Sequence, residues 1–171
     1  MSGARVDLLI VRHAIAAERD AKRWPDDRLR PLSTRGIARG RKAAVGLARL
    51  GVKPRVVLTS PLLRARQTAQ ILEREARWPS ARPCAELTPD GPPRALLARL
   101  ARGPGKRIAV VGHEPHLSAF LAQCLPGDTH RALSFRKMGV ALVRFSGRAQ
   151  SGQGELVWFA TPKLLRALRK A

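Results

Sequence analysis

Three short apolar runs constrain this chain most, because each is followed at once by polar residues and then by a helix-period pattern. Val6–Val11, Arg55–Thr59 and Arg107–Val111 have the length of buried strands, not of helices. After the first, Ser33–Leu50 reads as a helix, with Ser33 or Thr34 as its cap, Ile37, Ala44 and Leu47 at helical spacing, and Gly51 as its stop. Ser60-Pro61 opens the next helix, with Pro61 suited to an early turn and Ala65, Ala69, Leu72 and Ala76 as the buried stripe. A turn at Thr88–Gly91 precedes a short helix from Pro92 carrying Leu96, Leu97 and Leu100, which the Gly-Pro-Gly at 103–105 breaks. Glu114–Leu125 is helical again, with Leu117, Phe120, Leu121 and Leu125 at the apolar positions. Val140–Phe145 and Glu155–Phe159 form a closing hairpin around the Gly- and Ser-rich stretch 146–154, and a basic helix, Pro162–Lys170, follows. Strands alternating with helices predict an α/β fold: a three-layer α/β/α sandwich whose mostly parallel central sheet has helices on both faces.

The 171 residues suit one domain spanning 1–171, large enough for a core without disulfide staples. Cys84 and Cys124 make no framework and point to a reduced, cytoplasmic protein, expected to be a monomer. No apolar run has the length of a membrane span, so no membrane contact is expected. Arg5, Val6–Val11 and Ala14-Ile15-Ala16 imitate a signal peptide, but Asp7 and Arg12-His13 interrupt the apolar segment.

Sheets of this kind bind ligands outside the carboxyl ends of their strands. The first run ends in Arg12-His13, the second in Thr59-Ser60-Pro61 with Arg64 one turn into the next helix, and the third in Gly112-His113-Glu114. Three junctions therefore bring two arginines and two of the four histidines to one edge. Paired guanidiniums hold the oxygens of a phosphoryl group in bidentate fashion. A neutral imidazole attacks phosphorus, and a second imidazole, when protonated, balances charge on the equatorial oxygens. Neighbouring cations lower the pKa of His13 and favour its neutral form. His116 lies three residues after His113, yet a metal site needs further ligands that the cysteine spacing does not supply, so neither metal nor cofactor is expected. His130 reads as a surface residue.

Lys and Arg number 33 against 12 Asp and Glu, a formal charge of +21. Such an excess suggests anionic partners: phosphate groups, nucleic acid, polyphosphate or an acidic protein face. Arginine supplies 26 of the 33 cations, which codon bias in a G- and C-rich genome explains equally well. Arg19–Arg55 alone carries twelve cations and three acids, either a basic collar around the Arg12-His13 edge or an ordinary solvated face at Arg39, Arg41 and Lys42. The terminal Lys163–Lys170 stretch is a further candidate contact for a membrane surface, nucleic acid or polyphosphate. Seven aromatics, none interleaved with a basic run, argue against base stacking on single strands.

Val11-Arg12-His13-Ala14 followed by Arg30-Pro31-Leu32-Ser33-Thr34-Arg35-Gly36 resembles the opening signature of the histidine phosphatase superfamily, with Ala14 where Gly is usual. Thr59-Ser60-Pro61-Leu62-Leu63-Arg64-Ala65-Arg66-Gln67-Thr68-Ala69 and Val110-Val111-Gly112-His113-Glu114-Pro115 resemble its second and third elements. The resemblance runs in order along the whole chain, and Glu86-Leu87-Thr88-Pro89 is most similar to the SixA-like phosphohistidine phosphatase branch. It implies a phosphoglycerate mutase-like fold with His13 as nucleophile, Arg12 and Arg64 as the phosphoryl clamp, and His113 as a hydrogen-bond donor. Arg30 and Ser60, inside the matching motifs, join them as substrate-binding residues. It further implies a general acid between the second and third motifs, where Glu86 stands, with Asp90 as the fallback.

The reading is thus a cofactor-independent hydrolase of protein phosphohistidine or a small phosphate ester. A mutase of the same superfamily is disfavoured, because the short stretches between motifs leave no room for enclosing insertions. The rival from another class is a non-catalytic, basic polyanion-binding protein.

Overall fold

The computed structural model describes residues 5–103, 106–127 and 133–170; His130 lies outside them. The strands are β1 (Val6–Arg12), β2 (Val56–Thr59), β3 (Arg82–Pro83), β4 (Arg107–Gly112), β5 (Val140–Phe145) and β6 (Gly154–Ala160). The helices are α1 (Thr34–Arg49), α2 (Leu63–Ala76), α3 (Pro93–Arg102), α4 (His116–Cys124) and α5 (Pro162–Leu168). The sheet order is β3-β2-β4-β1-β5-β6. The first four of these neighbours pair in parallel, while β5 lies antiparallel to both β1 and β6. Only β5 therefore runs against the rest, as expected of a mostly parallel sheet closed by a hairpin.

Both faces of the sheet are covered, which is why its strands read as near-continuous apolar runs. On one face Leu9, Val11, Val57, Ala109, Val111, Val140 and Leu142 meet Ala43, Ala44 and Leu47 of α1, Ala65, Ala69 and Leu72 of α2, and Leu165 of α5. On the other, Leu8, Ile10, Leu58, Ile108, Val110, Ala141 and Val143 meet Leu96, Leu97 and Leu100 of α3 and Leu117, Phe120 and Leu121 of α4. No described helix is long and apolar enough to cross a membrane.

Local chemistry sets several element ends. Ser33 caps α1, its Oγ accepting from Gly36 N at 2.9 Å. Gly36 admits no side chain, since a Cβ there would lie 1.9 Å from Ile15 O. Gly46 likewise lets α1 meet α5 at van der Waals range: a Cβ would fall 1.7 Å from Leu165 O. Two helices begin later than their sequence pattern suggests. α2 starts at Leu63, because the chain bends at Pro61-Leu62, Leu62 keeps an extended backbone and its N–H donates to Ser60 Oγ (3.4 Å). α4 starts at His116 because Glu114-Pro115 forms the turn that follows His113. The last helix stops at Leu168, two residues short of the expected Lys170.

Topology now places the cleft. β1 and β4 are neighbours in register, Arg12 opposite Gly112. The chain leaving β1 passes to α1 on one face, and the chain leaving β4 passes to α4 on the other. Connections that part to opposite faces open a crevice at the carboxyl edge, the place where open α/β sheets bind ligands.

Candidate active site

His13 and His113 each follow the last residue of their strand, so the register sets them level across this crevice. Their ring centroids are 5.0 Å apart. Both rings are buried, 5% and 2% exposed. His13 Nδ1 donates to Ala14 O at 2.6 Å. A carbonyl only accepts, so Nδ1 carries the proton and Nε2 keeps its lone pair. The peptide holding that carbonyl is itself fixed. Ala14 N donates to Thr68 Oγ1 (3.0 Å), and Thr68 Oγ1 donates to Arg64 O (2.7 Å).

Ser60 Oγ lies 2.8 Å from His113 Nε2 while accepting from Leu62 N. A hydroxyl donates once and accepts twice, so the tautomer of His113 sets which of the two groups donates, and His113 Nδ1 has no partner in the described structure. Burial is the largest cause of the low basicity of both rings. It pushes His13 down to about 2, helped by His113, Arg64 and Lys137 against the Ala14 hydrogen bond. It pushes His113 down to about 3, helped by Arg64, His116 and Arg12. Both rings are therefore neutral near pH 7 in the free protein. Charge alone accounts for only part of the His13 shift expected from the sequence.

Arginines surround the pair. Arg64, from the first turn of α2, is buried; its Nη1 donates to Asp27 O (2.8 Å) and its Nη2 sits 3.1 Å from Asp27 Oδ2. Arg30 Nε donates to Asp27 Oδ1 at 2.7 Å and its Nη1 to Ala17 O at 2.8 Å. Arg12 Nη1 donates to Phe135 O. The Nε atoms of Arg12 and Arg64 and Nδ1 of His113 are buried without a partner in the described structure. Burial lowers both guanidinium pKa values, with Glu114 opposing it at Arg12 and Asp27 at Arg64. The five expected residues Arg12, His13, Ser60, Arg64 and His113 thus share one cleft, with Arg30 joined to it through Asp27.

Glu86 does not join them. It sits on the 3-10 turn Ala85–Leu87, where Oε1 meets Arg99 Nη1 of α3 at 3.2 Å and Oε2 accepts from Cys84 Sγ at 3.2 Å. Its own backbone N–H and these partners hold it below the usual carboxylate range, with burial opposing. A carboxylate kept ionised and turned toward α3 is a poor proton donor for the cleft. The fallback, Asp90, is exposed in the turn after that segment.

Three participants escape sequence reasoning. Asp27, on the 3-10 turn Asp27–Leu29, links Arg64, Arg30 and Arg19. Burial raises its pKa, but the Arg30 hydrogen bond and the three arginine charges together hold it below the ordinary value. Lys137 is half-buried and interacts with Arg12, Arg30 and Arg64, which with burial lower its pKa. The backbone of 135–139 braces the end of β1: Met138 N donates to Arg12 O (3.1 Å) and His13 O (3.3 Å), and Arg12 N donates to Gly139 O (3.1 Å). Glu114 ties that segment down through Phe135 N at 3.0 Å. No periodicity or motif marks these residues; only the Arg-Pro-Leu-Ser element next to Asp27 hinted at that stretch.

A family model for the histidine phosphatase superfamily (branch 1) matches residues 8–87. The chain is 37% identical over 166 residues to an uncharacterized protein of Picosynechococcus, covering 94% of this chain and 99% of that one. It is 32% identical over 161 residues to the phosphohistidine phosphatase SixA of Escherichia coli, covering 92% and 94%. A solved structure of the protein histidine phosphatase SixA complexed with tungstate superposes with a TM-score of 0.82 at 31% identity, covering 94% of this chain and 99% of that one.

Proposed function

Because this chain belongs to the histidine phosphatase superfamily, in its SixA-like branch, it is a phosphatase, and we propose that it hydrolyses protein phosphohistidine through a phosphoryl intermediate on His13. One observation carries this reading most: the Ala14 carbonyl holds the proton on His13 Nδ1, leaving a neutral Nε2 beside two guanidiniums and a second imidazole.

The reaction follows from those atoms. His13 Nε2 attacks phosphorus while the substrate's P–N bond breaks, and the leaving imidazole nitrogen keeps or gains its proton from solvent. Water then attacks the phosphoryl group on His13, releasing inorganic phosphate and restoring the free imidazole. Arg12 and Arg64 hold the non-bridging oxygens, with Arg30 behind Arg64, and His113 lies beside them as a hydrogen-bond donor. Charge placed around phosphorus is what phosphoryl transfer mainly requires. An imidazole leaves a protonated phosphoramidate more readily than an alkoxide leaves a phosphomonoester, so the engagement of Glu86 with Arg99 and Cys84 supports this substrate class. The identity to the E. coli phosphohistidine phosphatase supports it independently.

The test is trapping with a labelled phosphodonor. Label should enter the wild type in acid-labile, base-stable form and should be absent from His13→Ala. Acid-stable label, or labelling of the variant, overturns the intermediate. Turnover of phosphomonoesters with none of phosphohistidine peptides overturns the substrate class.

A further inference from the structure

Between β1 and α1 the chain makes a closed excursion from Ala17 to Pro31. Ala17 N donates to Pro31 O (2.9 Å), Ala16 pairs with Leu32, and Arg30 Nη1 ties back to Ala17 O. Three of its four acids are engaged locally, and the fourth, Glu18, is exposed. Asp20 Oδ1 accepts from the N–H groups of Lys22 and Arg23, Asp26 Oδ1 accepts from Arg28 N, and Asp27 holds Arg30 and Arg64. Its cations face outward: Lys22, Arg23 and Arg28 are exposed, and Arg19 is 82% exposed despite lying 3.7 Å from Asp27.

Apolar groups stand among these charges. Leu29 is 61% exposed, one of two large hydrophobic residues so exposed among the described residues. Trp24 is half-buried under the Arg23 guanidinium, 5.8 Å from its ring centre. Alongside runs a groove of about 730 Å³ lined by Arg19, Arg23, Trp24 and Leu32, with Glu18 and Asp20. Arg19 links it to the cleft, lying 3.7 Å from Asp27, which in turn holds Arg64.

Resting on the phosphohistidine reading, we propose that this excursion is a docking surface for the phosphorylated protein, and that the partner presents an acidic face around an exposed leucine or similar apolar residue. A small phosphoramidate is satisfied inside the cleft and makes no use of Leu29 or Trp24. A single-stranded nucleic acid wants several aromatic platforms along a basic track, and here the one aromatic is already covered by Arg23. An apolar centre with a charged rim, anchored by tryptophan and arginine, is the anatomy of a protein interface. The outward cations set the sign of the partner's face.

The experiment compares kcat/KM on three phosphodonors: an acidic, leucine-containing phosphohistidine peptide, its lysine-substituted counterpart, and inorganic phosphoramidate. The wild type should prefer the acidic peptide by about tenfold or more, and the preference should shrink as salt rises. Arg23→Glu and Leu29→Ser should each lower turnover of the acidic peptide by about tenfold, with phosphoramidate turnover within about twofold of wild type. Equal use of both peptides, or equal loss on peptide and phosphoramidate, overturns the docking surface while leaving the phosphohistidine reading intact. Failure of the wild type on both peptides, with phosphomonoesters still hydrolysed, overturns the phosphohistidine reading itself. Inhibition by single-stranded DNA but not by the unphosphorylated acidic peptide assigns the loop to nucleic acid and also overturns the proposal.

Discussion

Ala14 contributes its carbonyl, not its side chain, to the chemistry: it decides which nitrogen of His13 meets phosphorus. That makes His13 irreplaceable in the proposed reaction. His13→Ala should lower kcat/KM by at least about 10³-fold, roughly 4 kcal/mol of barrier, measured by steady-state phosphate release. Arg64→Ala should lose nearly as much, and Arg64→Lys should recover only part of it, because a single ammonium cannot reproduce the guanidinium fork. Full recovery in Arg64→Lys would remove the clamp role. Glu86→Gln should stay within about threefold of wild type in kcat, since its oxygens serve Arg99 and Cys84. At this scale the sequence disclosed the residues that abut strand ends, because an apolar run announces where its strand stops. It could not disclose Asp27, Lys137 or the Phe135 carbonyl, which arrive on loops whose paths no hydrophobic pattern encodes. For a related reason it could not show that the Glu86 oxygens meet Arg99 and Cys84: a motif position tells which segment a carboxylate belongs to and not where its oxygens point.

The elements met their expected positions where burial or capping governs them. α1 begins where Ser33 can cap it, and the apolar stripe of α2 is buried as its spacing requires. Apart from the early stop of α5, the deviations described above fall beside the cleft, at Ser60–Leu62 and Glu114–Pro115, where non-helical turns present Ser60 and His113 instead of extending a helix. Helix propensity is weaker than the hydrogen bonds that fix those turns, so periodicity overestimates both helices. The two tight glycines of α1 separate packing from catalysis. Gly46→Ala pushes Leu165 O away and should destabilise the fold by about 1–3 kcal/mol in urea unfolding, with kcat nearly unchanged. Gly36→Ala meets Ile15 O, two residues beyond His13, and should lower stability similarly and kcat as well. Equal effects of the two substitutions on kcat would show that the loop after β1 does not transmit the clash.

Across the whole molecule, burying neutral histidines ties stability to pH. His13 and His113 titrate at about 2 and about 3 when folded, and burial also lowers His116. Unfolded, each takes a proton near its ordinary value of about 6.5. Between those limits the unfolded chain binds more protons than the native one, so stability falls as pH drops below about 6.5. The slope should reach about 1.4 kcal/mol per pH unit for each histidine, read from urea midpoints between pH 7 and pH 5. A flat profile over that window would contradict neutral, buried rings. Tungstate, the oxyanion held by the solved relative, should raise the midpoint at every pH by binding only the folded cleft.

The brace from 135–139 to the end of β1 has a consequence for synthesis. A nascent chain extended only to residue 127 already contains Arg12, His13, Ser60, Arg64 and His113. It lacks the Met138 amide that grips Arg12 and His13, the Gly139 carbonyl that receives Arg12, and the whole of β5 on the open flank of β1. A ribosome stalled there would hold all five side chains before the backbone that positions two of them exists, and a chain truncated at residue 127 is expected to release no phosphate.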